Sequence, residues 1–247
     1  MKNKYWAKTK YSTIDPFDYE IQRFSSPAGK LIDELEKKTV LELFNKHNLG
    51  NITKSYLSIL DVATGTGRLA YFIENYVKNA SIIGMDINEN MLKRSNQIKS
   101  KNKSRIKFIK GDLYHLPFKV DHFDTIVGLR FSMHLPKFEE ILKEFSRVLN
   151  KDGLLIFDIF NHNSILRLRL LRNINKADKG YFSLNDMIKI AKENYFHFID
   201  YQGILLFGET PLRLTPKKLL FLHSPITQPP RILHQYSSKL ILCFRKV

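Results

Sequence analysis

Residues 60–70 read LDVATGTGRLA and join an apolar run at residues 57–62 to a segment at residues 68–77 whose apolar residues have helical spacing. Gly65 and Gly67 fall at this strand-to-helix junction. Glycine adopts dihedrals that a Cβ forbids and lets a ligand approach the backbone closely. A helix beginning at Arg68 directs unpaired N–H groups and the positive end of its dipole into the same space. The stretch therefore predicts a ligand-binding loop at the carboxyl end of a β-strand.

Predicted strands and helices alternate on both sides of this loop. The patterns predict strands at residues 57–62, 81–85, 105–110, 123–129, 154–160, 195–199 and 240–244, and helices at residues 27–48, 68–77, 88–98, 137–149 and 184–193. Asn88 and Ser183 are the expected caps of two of these helices. Such alternation implies a mostly parallel sheet of seven strands with helices on both faces, an α/β fold.

The length of 247 residues suits one domain, and we expect residues 1–247 to form it. Residues 1–56 are interpreted as an N-terminal arm, irregular over residues 1–26, followed by a helix. Residues 57–160 are interpreted as the core, and residues 161–247 as substrate-side insertions and C-terminal strands. Cys243 is the only cysteine, which excludes an internal disulfide and a thiolate-cluster metal site. The N-terminal MKNKYWAKTK has no apolar core, so a cytoplasmic protein is expected.

Positive charge is concentrated in the last third of the chain. Of the net charge of +16, +9 comes from residues 161–247, which contain fourteen Lys and Arg and five Asp and Glu. This balance is compatible with a Lys-rich solvated surface, and equally with a basic rim that faces an anionic substrate or surface. In residues 161–182 and 203–238, basic residues alternate with Leu and Phe, which allows either a packed lid or peripheral contact with an anionic membrane.

The glycine loop by itself admits two cofactors. Gly65, Gly67 and Ala70 also satisfy the dinucleotide pattern G-x-G-x-x-G/A, and Asp86 lies 19 residues beyond Gly67, where a ribose-binding acid is expected. Asp61 weighs against a dinucleotide, because a carboxylate beside the loop repels a pyrophosphate and suits the cationic amino group of a methionine moiety. The loop alone leaves both cofactors open.

Five segments in order, LDVATGTGR, GMDINENML, GDLYHLPF, FDTIVG and RVLNKDGLLIF, extend the pattern over residues 57–160. Together they resemble the class I, S-adenosylmethionine-dependent methyltransferases, in particular the branch similar to ubiquinone and menaquinone biosynthesis methyltransferases. The resemblance implies a Rossmann-like sheet whose last strand is antiparallel, and S-adenosylmethionine as the cofactor. It also implies the cofactor-binding residues, namely Asp61, Ala63, Gly65 and Gly67 at the methionine end, Asp86 at the ribose, Ile87, Met91, Asp112 and Leu113 around the adenine, and Arg130 near the reacting methyl group.

The methyl acceptor is less well specified by the sequence. A small molecule, lipophilic or quinone-like, is the first hypothesis, and an RNA acceptor that uses the basic C-terminal third, with Phe207, Phe221 and Tyr236 as stacking residues, is the second. His134 follows the fourth strand and is the candidate general base, although a capping or packing role fits it as well. His162 is a second candidate for the same role. No His, Cys, Asp and Glu cluster has metal-ligand spacing, so no metal site is expected, and the oligomeric state is not specified by the sequence.

Overall fold

A computed structural model of the chain describes residues 14–48, 56–165 and 180–247, except for the side chain of Phe221. Its strands are β1 (Leu57–Val62), β2 (Ala80–Asp86), β3 (Lys107–Lys110), β4 (Phe123–Gly128), β5 (Leu149–Asn161), β6 (Tyr181–Phe182), β7 (Phe196–Ile204) and β8 (Lys239–Lys246). Its α-helices are α1 (Pro16–Glu20), α2 (Pro27–His47), α3 (Arg68–Tyr76), α4 (Glu89–Asn102), α5 (Phe138–Val148), α6 (Leu184–Glu193), α7 (Thr210–Leu214) and α8 (Ser224–Thr227). A π-helical turn spans Ile21–Ser25, and 3₁₀ helices span Ser132–His134, Lys217–His223 and Arg231–Tyr236.

The strands of the described residues form one sheet in the order β3-β2-β1-β4-β5-β8-β7, with the two-residue β6 paired to β5. Strands β1 to β5 are parallel to one another, whereas β8 is antiparallel to both β5 and β7. The α/β fold class and the antiparallel last strand are therefore confirmed. The sheet has one short strand more than the seven predicted, because β6 is too brief to produce a pattern of alternating residues.

Two buried clusters cover the two faces of the sheet. One packs α2 and α3 against the strands, together with Leu212 and Leu220 from the segment that follows β7. The other packs α5 and α6 against the opposite face. Both helices expected to have caps do so: the Asn88 side chain accepts N–H groups at the start of α4, and the Ser183 hydroxyl does so at the start of α6. The sheet is thus covered on both faces, and its carboxyl edge is left for a site.

The N-terminal arm differs from its prediction within the described residues. The expectation of an irregular arm is wrong for residues 16–25, which form α1 and the π-helical turn. Asp15 accepts the N–H groups of Phe17 and Asp18, and Pro16 occupies the first helical turn, where its missing N–H costs nothing. The segment is too short for apolar periodicity to reveal it. Residues 1–13, and residues 166–179 of the basic, leucine-rich insertion predicted at residues 161–182, lie outside the described residues.

Candidate functional site

An open cavity lies where the carboxyl ends of β1, β2, β3 and β4 meet. The neighbouring strands β1 and β4 continue the chain in opposite directions across the sheet, which is where α/β sheets bind ligands. Eight of the ten predicted cofactor-binding residues line this main cavity, together with His134: they are Ala63, Gly65, Asp86, Ile87, Met91, Asp112, Leu113 and Arg130. A smaller side pocket adjoins it and shares five lining residues with it, namely Tyr19, Ala63, Gly65, Leu129 and Arg130.

The two loop glycines have different surroundings. Gly65 has φ +57°, and a Cβ added to it would meet no atom within 4 Å, so the space above the loop is open. Gly67 has φ +86° and caps α3, but a Cβ there would come within 2.7 Å of Tyr71 and 2.8 Å of Phe108. Gly67 lines neither the main cavity nor the side pocket. A glycine is required at position 67 by the positive φ and by the close packing of Tyr71 and Phe108. At position 65 the missing side chain keeps the floor of the cavity clear.

Ala63 begins the loop, at a position where many members of the family that the sequence resembles have a glycine. Its φ is 50°, in the left-handed region that alanine rarely adopts, and it lines both the main cavity and the side pocket. The backbone conformation of a glycine has thus been kept with an alanine in place. The cost of this conformation is on the order of 1–2 kcal/mol.

Asp86 ends β2 and connects that strand to the glycine loop. Its Oδ2 accepts the Gly65 N–H at 2.8 Å, and its Oδ1 accepts the Asn88 N–H at 2.9 Å. Burial raises the pKa of Asp86, although these backbone donors act in the opposite direction. The carboxylate is half-buried at the cavity wall, so the same group that fixes the loop also faces the cavity.

Asp61 lies below the loop, 1% exposed, and lines the side pocket rather than the main cavity. Its Oδ2 accepts the Thr64 hydroxyl at 2.5 Å. Burial raises the pKa of Asp61 to about 7, against the effect of the hydrogen bonds from Thr64 and from the Ala70 backbone. A cation that entered the side pocket would find a buried carboxyl group ready to ionise.

The far end of the main cavity is mostly apolar. Ile87, Met91 and Leu113 line it, as does the Asp112 carboxylate. Asp112 Oδ1 accepts the Tyr114 N–H at 3.0 Å, which is the turn-forming role that Asp commonly has after glycine. Asp112 thus shapes the turn after β3 while it also lines the cavity.

Arg130 follows β4 and forms the wall between the main cavity and the side pocket. Its φ is 63°, and its backbone N–H donates to Asp158 Oδ1 at 2.6 Å. Its guanidinium donates to Glu36 from α2 and, at 2.9 Å, to Glu209. Burial acts to raise the pKa of Glu209, but Arg130, Lys239 and Arg213 lower it to about 2. Both carboxylates are therefore charged when they hold Arg130.

A buried group of charges supports Arg130 from behind. Glu36 is fully buried and bonds Arg130 and Lys239, and Lys239 Nζ also lies 3.2 Å from Asp158 Oδ2. Burial alone would raise the pKa of Glu36, but the charges of Lys239 and Arg130 outweigh it and hold this pKa below its usual range. The charges compensate one another inside the protein, so each is held in one place.

Aromatic residues of the N-terminal segment cover the side pocket. Tyr19 and Phe24 line it and meet edge to face, with their centroids 5.8 Å apart. The Phe24 ring lies 4.5 Å from the Arg68 guanidinium and 5.5 Å from that of Arg130. Contacts between cations and ring faces stabilise such a cover while leaving its outer surface apolar.

The two candidate bases have different positions. His134 lies on the 3₁₀ helix after β4 and lines the main cavity. His162 follows β5. Its backbone N–H donates to the Phe182 carbonyl at 3.0 Å, and its ring Nδ1 lies 3.2 Å from Asn163 Oδ1. It lines neither the main cavity nor the side pocket.

Sequence reasoning missed several residues around the cavity. Glu36 falls on the buried stripe of α2, between Ile32 and Val40, and Asp158 interrupts the apolar run of β5. A charge within an apolar pattern was the available signal for both. Tyr19 and Glu209 carry no such signal, because they lie in short segments without periodicity.

The residues present fit S-adenosylmethionine. Its adenine suits the apolar end of the main cavity, its ribose hydroxyls suit the Asp86 carboxylate, and its amino group suits Asp61 in the side pocket. The open space above Gly65 is where a Cβ would obstruct a ligand passing along the loop. Among the described residues, no group of three His, Cys, Asp or Glu side chains is placed to hold a metal ion, and none of the helices there has the length and apolar character needed to cross a membrane.

Comparison with known proteins gives the same cofactor class. A family model described as a methyltransferase domain matches residues 53–203. A sterol 24-C-methyltransferase of Gibberella zeae is 28% identical over 173 residues, covering 66% of this chain and 45% of the relative. A demethylmenaquinone methyltransferase of Lactococcus lactis is 30% identical over 146 residues, covering 53% and 56%. The chain thus spans about half the length of the curated relatives it matches.

Solved structures share the fold. A SAM-dependent methyltransferase from Thermotoga maritima superposes with a TM-score of 0.62 at 16% identity, covering 99% of this chain and all of the other. The [4+2]-cyclase SpnF superposes with a TM-score of 0.62 at 14% identity, covering 85% and 80%. Since a cyclase has the same fold, the fold alone does not specify the reaction.

The family match decides between the two cofactors that the glycine loop admitted. It extends over more than half of the chain, and it includes the loop, Asp86 and Asp112. It therefore implies S-adenosylmethionine rather than a dinucleotide, as the carboxylate of Asp61 beside the loop also indicates. The chain belongs to the class I, S-adenosylmethionine-dependent methyltransferase family.

Proposed function

We propose that this chain transfers the methyl group of S-adenosylmethionine to a small, lipophilic acceptor. The observation that carries the proposal is the pair of carboxylates around the glycine loop. Asp86 lies at the wall of the main cavity, and Asp61 lies buried in the side pocket with a pKa of about 7. A diol at one end and a cationic amino group at the other match this pair, whereas a pyrophosphate would be repelled by Asp61.

The chain's contribution to the reaction is mainly positioning and exclusion of water. S-adenosylmethionine supplies a methyl group already activated by its sulfonium sulfur. The acceptor atom forms its new bond to the methyl carbon in line as the carbon–sulfur bond breaks, so no covalent catalyst is needed. Phe24 and Tyr19 cover the side pocket, and Arg130 is fixed by Glu36 and Glu209. A low-water environment favours a charge-dispersing displacement of this kind.

His134 is the proposed general base for an acceptor that must lose a proton. It lines the main cavity on the loop after β4, within the region that Arg130 also lines. An imidazole has the pKa suited to proton transfer near neutral pH. An acceptor that carries no acidic proton would not require it.

Apolar surroundings favour a lipophilic acceptor. Leu129, Phe131 and Leu135 line the main cavity beside Arg130, whose charge is already compensated. The two relatives compared above are named for a sterol and a demethylmenaquinone, both lipophilic. An RNA acceptor receives less support, since Phe207, one of the predicted stacking residues, is half-buried.

Calorimetry with S-adenosylhomocysteine tests the cofactor part of the proposal. We expect binding to the purified chain, at least ten-fold weaker binding to Asp86→Ala, and no binding of NAD or NADP. Asp121→Ala is the matched control and should bind like wild type, because Asp121 is exposed and lines neither the main cavity nor the side pocket. Binding of NAD in preference to S-adenosylhomocysteine would reject the proposal.

Transfer of a radiolabelled methyl group tests the acceptor part. Wild-type protein is supplied in turn with a demethylmenaquinone, a sterol and a single-stranded RNA, in detergent where solubility requires it. Label in either lipid extract supports the proposed acceptor class. Label found only in the RNA would replace it with the second hypothesis, and cofactor binding without transfer to any of the three would indicate a different acceptor.

A further inference from the structure

The segment between β7 and β8 is folded firmly against the domain. Leu212 in α7 and Leu220 in the following 3₁₀ helix are buried in the core cluster that contains α2. Thr215 Oγ1 lies 2.9 Å from His223 Nε2, which ties the two ends of this stretch together. The Leu206 N–H donates to the Ile226 carbonyl at 2.8 Å, so the stretch is also hydrogen-bonded to the end of β7.

Three other leucines of the same stretch lie on its outside. Leu214 is 80% exposed, Leu222 is 60% exposed and Leu219 is 46% exposed. Leu219 and Leu222 are three residues apart in a 3₁₀ helix, so they lie on the same face. Because Leu212 and Leu220 already fill the inward positions, folding of the chain does not account for the exposed three. Three exposed leucines within nine residues favour a surface that contacts something apolar.

Two exposed lysines stand beside these leucines in the sequence. Residues 210–247 contain seven Lys and Arg and no Asp or Glu, and four of the seven are ion-paired with carboxylates outside that range. Lys217 and Lys218 are exposed between Leu214 and Leu219, and neither forms an ion pair with the described residues. Leu214, Lys217, Lys218, Leu219 and Leu222 are called the leucine–lysine surface below. Their uncompensated charge complements an anionic partner.

Hydrogen bonds connect α7 and the residue before it to segments that line the main cavity. Glu209 immediately precedes α7 and accepts a hydrogen bond at 2.9 Å from Arg130, which lines the cavity. Arg213, in the middle of α7, donates to the Arg23 carbonyl at 3.5 Å in the segment that also carries Tyr19. A partner held at α7 would therefore be close in the structure to Arg130, which lines the cavity.

We propose that the leucine–lysine surface docks the protein onto an anionic lipid bilayer, with its leucines among the acyl chains and its lysines at the headgroups. Exposed leucines interleaved with lysines are the composition of interfacial segments. RNA fits the surface less well, because leucine offers no ring on which a base can stack. The docking is independent of the methyl-transfer reaction, although it would bring a lipophilic acceptor to the cavity.

Vesicle flotation with two double variants tests the proposal. The vesicles are equal parts phosphatidylglycerol and phosphatidylcholine at low salt, with pure phosphatidylcholine as the neutral comparison. Wild type should float with the anionic vesicles and much less with the neutral ones. Lys217→Gln/Lys218→Gln should weaken binding about 25-fold, at roughly five-fold per lysine. Leu214→Ser/Leu222→Ser should weaken it at least ten-fold, because apolar area would no longer enter the bilayer.

Matched controls separate this surface from general charge and apolarity. Lys101→Gln/Lys143→Gln removes two exposed lysines from α4 and α5, and Val120→Ser removes a side chain that is 59% exposed. Both controls should float like wild type. Circular dichroism and thermal unfolding establish that each variant is folded.

Several outcomes would overturn the proposal. One is absence of flotation of wild type, and another is an equal loss in the control variants. A single-stranded oligonucleotide that binds wild type, loses affinity in the lysine variant and keeps it in the leucine variant would make this an RNA surface. If wild type is a dimer that does not bind vesicles, and Leu214→Ser/Leu222→Ser is a monomer, the surface would be a self-association surface. Because flotation needs neither cofactor nor acceptor, its failure leaves the proposed reaction untouched, and a failed reaction leaves flotation unaffected.

Discussion

Arg130 and Glu36 meet side by side in the interior, the Nε of Arg130 lying 3.0 Å from one carboxylate oxygen of Glu36 and 2.9 Å from the other. Arg130 follows β4 at the edge of the main cavity, whereas Glu36 lies in the middle of α2 and is completely buried. The pair joins α2 to the loop after β4, which lines the main cavity. A change in the packing of α2 would therefore displace the Arg130 side chain at the cavity wall.

Loss of the Glu36 charge should destabilise the protein strongly. Glu36→Gln leaves Arg130 and Lys239 buried with one carboxylate fewer, and we expect the free energy of unfolding to fall by about 3 kcal/mol. Glu34→Gln is the matched control on the same helix, because Glu34 is 62% exposed and its nitrogen partner on Lys38 is 4.0 Å away. The control should lose less than about 0.5 kcal/mol. Urea unfolding measures both, and similar losses in the two variants would contradict this account.

Cofactor affinity should fall in acid because of Asp61. A cationic amino group binds the ionised carboxylate, and the pKa of Asp61 is raised to about 7. Below pH 7 the carboxyl group is protonated, so the affinity for S-adenosylhomocysteine should fall by up to about ten-fold per pH unit, whereas above pH 7 it should level off. Calorimetry from pH 5.5 to 7.5 measures this slope. Asp61→Asn, which removes the titrating group, should bind weakly with no such slope, and an unchanged slope in that variant would assign the titration elsewhere.

Substitution by glycine should affect stability differently at Ala63 and at Ala70. Ala63 has φ 50°, so Ala63→Gly relieves a strained backbone and should leave stability equal or raise it by about 0.5 kcal/mol, after the greater freedom of glycine in the unfolded chain is counted. Ala70 is buried in α3, so Ala70→Gly should lower stability by about 1 kcal/mol or more. Thermal unfolding compares the two variants. A larger loss for Ala63→Gly than for Ala70→Gly would show that the methyl group of Ala63 stabilises the loop more than its φ costs.

His134 should matter for turnover and not for cofactor binding if it is the base. His134→Ala is expected to lower turnover about 10²-fold while the dissociation constant of S-adenosylhomocysteine changes little. His162→Ala is the comparison, since His162 lines neither the main cavity nor the side pocket, and it should keep its turnover. Steady-state rates with a lipophilic acceptor decide the matter. Unchanged turnover in His134→Ala would mean that His134 is not the base and that the chain acts by positioning its ligands alone.

Long, strongly patterned elements were predictable from sequence. The helix α6 was predicted at its observed bounds, because its apolar spacing is regular and Ser183 marks its beginning. The strand β7 was predicted five residues too short at its end, since its later residues, such as Gln202 and Gly203, interrupt the apolar pattern while still pairing with β8. The short α1 depends on a single cap and a proline, which is less than periodicity can detect.

The candidate site divides in the same way. Residues at the ends of the parallel strands converge because the strands do, and so Asp86, Asp112 and Arg130 could be placed together from their positions in the pattern. Gly67 was placed with them by its position in the motif, yet its small size is needed for contact with Tyr71 and Phe108. The partners of Arg130 come from distant segments, 94 residues away for Glu36 and 79 for Glu209. Such pairings depend on tertiary packing, which local patterns do not encode.

The hydrogen bond from Gly65 to Asp86 has a consequence for the thermodynamics of binding. It holds the tip of the glycine loop to β2 as part of the folded chain, so the loop is preorganised and little conformational entropy is lost when a ligand arrives. The contacts between ligand and loop then contribute to affinity without a large entropic cost of ordering the backbone. Asp86 therefore has two roles. Its carboxylate fixes the shape of the loop before a ligand binds, and the same carboxylate would contact the ligand.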